Sequence, residues 1–123
     1  MDRNPVGWFE IYVQDMNRAK TFYESVLALK LEKLEMPDIE MWAFPMKENA
    51  GGAPGSLVKM EGVPSGGNSV LVYFVCDDCA VQAKRAASSG GKIFKEKFSI
   101  APHGFIALVN DTEGNMIGLH SME

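Results

Sequence analysis

The sequence predicts an α+β fold made of two successive βαβββ modules in one domain. Three observations carry this reading. A pattern of strand, helix and three further strands runs twice along the 123 residues. A shift of 63 positions lays Asp15 on Asp78, each placed to cap a helix, and Ile11 on Phe74. The length suits a single domain over residues 1–123, with module one at about 5–61 and module two at about 69–121.

The elements follow in order. Residues 6–13 alternate, with Phe9, Ile11 and Val13 on one face and Trp8, Glu10 and Tyr12 on the other. Asp15 then offers a carboxylate to free helix N–H groups. Met16, Ala19, Phe22, Tyr23, Val26 and Leu27 recur at helical spacing, so this helix is expected to run to about Leu29. Strands are read at Leu31–Met36 and Ile39–Phe44, turned by Pro37-Asp38. Residues 45–55 read as a loop, Leu57–Met60 as a brief strand and Gly62–Asn68 as a flexible connection. Module two opens with a strand over residues 69–76. Asp78 caps a helix that carries Cys79, Ala83, Ala86 and Ala87 and stops at Gly90-Gly91. Lys92–Ile100, Gly104–Val109 and Met116–His120 complete it as strands, with a turn at Asp111–Asn115.

Composition removes several classes of function. Twelve Lys and Arg face sixteen Asp and Glu, a net charge of −4, which is no electrostatic footprint for nucleic acid. No apolar stretch approaches the roughly 20 residues that span a bilayer, so no membrane partner is expected. Met1-Asp2-Arg3-Asn4-Pro5 lacks the apolar core of a signal peptide, and a cytoplasmic location is expected. Cys76 and Cys79 are the two cysteines, and they sit where a strand and a helix want small apolar residues. A redox pair is the competing reading of their spacing. Gly51-Gly52 and Gly66-Gly67 do not join a strand to a long helix, as a phosphate cradle requires.

Three stretches carry a resemblance over nearly the whole chain. They are Trp8-Phe-Glu-Ile-Tyr-Val-Gln-Asp-Met-Asn-Arg-Ala-Lys-Thr-Phe-Tyr23, Tyr73-Phe-Val-Cys-Asp-Asp78 and Asp111-Thr-Glu-Gly-Asn-Met-Ile-Gly-Leu-His120. With them the sequence resembles the vicinal oxygen chelate superfamily of glyoxalases, bleomycin-resistance proteins and extradiol dioxygenases. The resemblance implies that the two modules form a curved mixed-sheet cup that is the binding site, and that the protein is a homodimer. It also implies a divalent metal held by the first and last strand of each module through His, Gln or Glu.

Carried over one at a time, those positions offer no such ligands. The first-strand positions are Trp8 and Leu71, and the last-strand position of module two is Gly118. The fourth falls on Lys59, or on Val58 with a one-residue slip. The family's metal is therefore not expected, nor any other cofactor. A displaced site stays open, with Glu10 and His120 as its ligands and Glu61 joining them if its strand extends that far.

The residues expected to face the cup are Trp8, Glu10, Tyr12, Trp42, Lys59, Leu71, Tyr73, Met116 and His120. Aromatic walls with a few polar groups describe a small-molecule pocket. Glu10 is the candidate catalytic group, a general base with Lys59 or His120 beside it, or else an anchor for a cation stacked on Trp8. As a structural carboxylate it would pair with Lys59 or bond to Tyr73. His103 reads as a loop residue that borders the cup's mouth or simply meets solvent. The expected function is small-molecule binding without the family's metal. The alternatives are a metal-dependent lyase or dioxygenase with rearranged ligands, and an interaction module whose cup is filled by its own side chains.

Overall fold

Each helix starts on the predicted aspartate. In the computed structural model, which describes residues 3–113 and 115–123, Asp15 is extended and its carboxylate accepts from the Arg18 N–H at 3.1 Å. Asp78 accepts in the same way from the Ala80 N–H at 3.0 Å. These bonds satisfy donors that the first helical turn leaves free. Asp15→Ala is accordingly expected to lower stability by about 1 kcal/mol in urea denaturation. Met1, Asp2, Gly114 of the turn and the Val26 side chain of the helical stripe lie outside what is described.

Both βαβββ modules are present. Module one comprises β1 (Val6–Tyr12), α1 (Met16–Leu27), β2 (Glu32–Leu34), β3 (Glu40–Ala43) and β4 (Gly55–Lys59). Its strands lie in the order β2-β3-β4-β1, with β1 and β4 parallel and the other pairs antiparallel. Module two comprises β5 (Val70–Val75), α2 (Cys79–Ser88), β6 (Lys92–Ser99), β7 (Phe105–Asn110) and β8 (Met116–Ser121). Its order, β5-β8-β7-β6, repeats that scheme, with β5 and β8 parallel. Contacts divide the chain into two compact units, Trp8–Val70 and the residues up to Gly7 with Leu71–Glu123.

Each helix covers one face of its own sheet. Under α1 lie Val13, Met16, Leu31 and Leu57, with Ile11, Tyr23, Trp42 and Phe44 packed around them. Under α2 lie Cys76, Cys79, Ala83, Ala107, Val109 and Leu119. Both cysteines are free thiols in this core, and burial pushes the Cys76 thiol above its ordinary range, with Cys79 adding to the effect. A thiol held protonated is a weak nucleophile, so the structure favours packing over redox chemistry for this pair.

Most boundaries differ from expectation by one or two residues, and two of the shifts have a clear physical reason. Helix α1 ends at Leu27 because Ala28 takes a left-handed conformation (φ 53°), a stop that no glycine announces. Strand β4 begins at Gly55, inside the expected loop. Gly55 is there for packing: a Cβ on it would stand 2.6 Å from Cζ of Phe9, whose ring lies 5.7 Å from that of Phe44.

Candidate functional site

The pairing of β1 with β4 decides which side chains share a face. Ile11 lies beside Leu57 on the helix side, whereas Glu10 lies beside Ser56 and Tyr12 beside Val58 on the opposite side. Across β3 that opposite face continues through Met41, beside Val58, and Ala43, beside Ser56. Met41, Ala43, Ser56 and Val58 are all buried. Glu10 is thus a carboxyl, 8% exposed, set in a row of mostly apolar neighbours.

Among the described residues Glu10 has two hydrogen-bond partners, both from its own strand. The Tyr12 hydroxyl donates to Oε1 at 2.5 Å and the Trp8 indole N–H donates to Oε2 at 3.2 Å. Strand alternation places these three side chains on one face, so the cluster follows from the Trp-x-Glu-x-Tyr spacing itself. Burial pushes the carboxyl above its ordinary range, and the bonds from Tyr12 and Trp8 offset part of that rise. Desolvation disfavours the charged form, while donors favour it. The expected partners Lys59 and Tyr73 are not the ones that hold it.

Trp42 and Lys59 lie on the other side. Trp42 pairs with Leu57 and packs into the core under α1, where the Lys20 ammonium sits 3.3 Å from its ring centroid. Lys59 shares the parity of Leu57 and is exposed, next to Glu40 in register. It lines a cleft of about 640 Å³ with Asp38, Glu40 and Glu61. Glu61 is in a turn, because β4 stops at Lys59.

In module two the face turned from α2 carries Leu71, Tyr73, Met116 and His120, as the alternation predicts. Leu71 and Tyr73 are buried, while Met116 and His120 are half-buried. The Tyr73 ring lies against Gly118, where a Cβ would stand 2.8 Å from Tyr73 Cγ and closer still to other ring atoms. His120 Nε2 meets the His103 carbonyl oxygen at 2.6 Å. A carbonyl only accepts, so the ring donates through Nε2. The His103 side chain is exposed on its loop.

Register also settles the fourth strand position. Glu10 pairs with Ser56 as Tyr73 pairs with Gly118, and the 63-residue shift lays Glu10 on Tyr73. The counterpart of Gly118 is therefore Ser56, not Lys59 or Val58. Sequence reading missed Ser56 because the start of β4 was hidden in a Gly- and Pro-containing loop. Its hydroxyl is fully buried and has no hydrogen-bond partner among the described residues.

The four positions that the resemblance assigns to a divalent ion are thus Trp8, Ser56, Leu71 and Gly118. An indole, a lone hydroxyl, an alkyl group and a bare backbone do not supply the imidazole and carboxylate donors such an ion needs. Among the described residues, no group of three or more His, Cys, Asp or Glu could hold a metal ion. These residues do not fit the group.

Known proteins resemble this chain in sequence pattern and in fold. The model of the Glyoxalase/Bleomycin resistance protein/Dioxygenase superfamily matches residues 6–119. Methylmalonyl-CoA epimerase from Mycobacterium tuberculosis shares the fold at a TM-score of 0.70 and 16% identity, over 97% of this chain and 88% of that one. A hypothetical protein from Bacillus halodurans C-125 aligns at a TM-score of 0.73 and 14% identity, over 96% and 94%. A variant of Streptomyces coelicolor methylmalonyl-CoA epimerase, in complex with 2-nitronate-propionyl-CoA, aligns at 0.69 and 13%, over 96% of each chain. No curated protein matches the sequence. None of the described helices is long and apolar enough to cross a membrane.

Proposed function

We propose that this chain, which belongs to the Glyoxalase/Bleomycin resistance protein/Dioxygenase superfamily, binds a small molecule at Glu10 without the metal site of its family. The observation that carries the reading is the buried Glu10 carboxyl with its Tyr12 and Trp8 donors. A core needs no ionisable group there, and an enclosed carboxyl among aromatic and apolar neighbours is a usual element of a ligand site. Trp8 and Tyr12 are half-buried and border it as walls. The same binding role is proposed for Leu71, Tyr73, Met116 and His120 on the corresponding face of module two. Glu10 is the polar anchor and the group placed to exchange a proton with the ligand. That this fold takes up small molecules is supported by the epimerase solved with 2-nitronate-propionyl-CoA. The reading also takes the protein as a cytoplasmic homodimer, for which sedimentation should give twice the 13.5 kDa chain mass.

The two tryptophans provide the test. Each indole N–H donates to a glutamate two residues before or after it, Trp8 to Glu10 and Trp42 to Glu40 on the opposite face. In ¹⁵N–¹H spectra of a small-molecule screen, ligands of the site are expected to move the Trp8 indole peak and leave that of Trp42 in place. Glu10→Gln should weaken them by about tenfold, the cost of one charge-assisted bond. Metal measured by mass spectrometry after incubation with nickel, zinc and ferrous iron should stay at background. Near-stoichiometric metal, lost in Glu10→Ala and His120→Ala, would replace this reading with a lyase or dioxygenase whose ligands are rearranged.

A further inference from the structure

Ser56 is the feature that neither the fold nor Glu10 alone explains. It is fully buried, and its hydroxyl has no partner among the described residues. Such a group costs folding free energy, because water has been lost and nothing replaces it. Alanine fills nearly the same space at no such cost, and the neighbouring position in register across β3 is alanine, Ala43. Packing by itself therefore calls for Ala at residue 56. On its other side Ser56 stands beside Glu10.

We infer that Ser56 and Glu10 form a two-point clamp for a ligand group with a hydrogen-bond donor and an acceptor on neighbouring atoms, as in a carboxamide. The inference rests on the reading of Glu10 as a ligand anchor and adds what the ligand must carry. Glu10 accepts: each oxygen takes one internal bond and keeps further lone pairs for an incoming N–H. Ser56 donates its O–H to the ligand carbonyl. The two side chains stand next to each other in register on one face of the sheet. A simple cation would use Glu10 and leave Ser56 as unpartnered as before. Ser56 is fully buried, so the ligand reaches it only when neighbouring side chains move aside.

The experiment titrates ¹⁵N-labelled protein with benzamide, and with benzylamine as the cationic control, reading the Trp8 indole peak. Benzamide is expected to shift that peak in the wild type, and Ser56→Ala to weaken it about tenfold while leaving benzylamine unchanged. Without ligand, Ser56→Ala is expected to raise Tm by about 2–4 °C, since it removes an unpartnered group. A lower Tm would show that the hydroxyl has a structural partner, and would overturn the clamp. So would a benzamide affinity that falls in Glu10→Gln but is untouched in Ser56→Ala; that outcome leaves Glu10 standing as an anchor. If neither probe moves the Trp8 peak, the clamp and the anchor fall together.

Discussion

Gly118→Ala is expected to destabilise the protein by about 1–3 kcal/mol in urea denaturation, although it adds a single methyl group. Gly118 is buried and the Tyr73 ring, 7% exposed, lies on it. The new Cβ would stand 2.8 Å from Tyr73 Cγ, well inside van der Waals contact, so the ring must leave its seat. Tyr73→Ala empties the same space and is expected to cost about 3–5 kcal/mol, the range for a buried aromatic. In the double variant the added methyl meets no ring, so the two costs should fall short of their sum. A Gly118→Ala cost below about 0.5 kcal/mol, or strict additivity, would show that the ring shifts freely and that the glycine is no seat. Gly118→Glu, a longer side chain at the same position, is expected to cost more than Gly118→Ala. It would place a carboxylate where Tyr73 now packs.

The sequence is legible where one periodicity acts alone. Trp8, Glu10 and Tyr12 share a face because strand alternation admits no other outcome once β1 is recognised. Asp15 and Asp78 mark both helix starts because a side chain that caps is chemically distinct from its neighbours. The faces of Trp42 and Lys59 were not legible, since both depend on the register of β3 and β4. Gly55 reads as a loop residue, yet it is a strand residue whose missing side chain accommodates Phe9. Setting Lys59 rather than Ser56 against Gly118 is an odd-numbered slip, and such a slip turns a side chain to the wrong face. Ser56 was hidden by the same error. Its lack of a partner is a property of packing, which no local pattern encodes.

Glu10→Ala is expected to cost about 2–4 kcal/mol, because it opens a cavity and leaves the Trp8 N–H and Tyr12 O–H without their acceptor. Glu10→Gln keeps the shape and removes the titration, so a comparison with wild type across pH isolates the charge. The sign follows from burial. The folded-state pKa lies above the ordinary 4.5 because desolvation outweighs the two donors. The folded protein then holds the Glu10 proton to a higher pH than the unfolded chain does. The stability this contributes is full below the unfolded value, is lost as pH rises through the folded value, and does not change further above it. Asp78 runs the opposite way: the Lys97 bond holds its carboxyl below the ordinary range, so its contribution is lost as pH falls. That term is common to wild type and Glu10→Gln and cancels in their difference. Wild-type stability measured relative to Glu10→Gln should therefore decline on going from acid toward neutral pH, and the Trp8 indole peak should titrate with a midpoint above 4.5. Parallel stability curves, or a Trp8 midpoint at or below the ordinary value, would mean that the carboxylate is well solvated in the folded protein. Glu10 would then be a surface acid bonded to its own strand, and its place at the centre of the site would be lost.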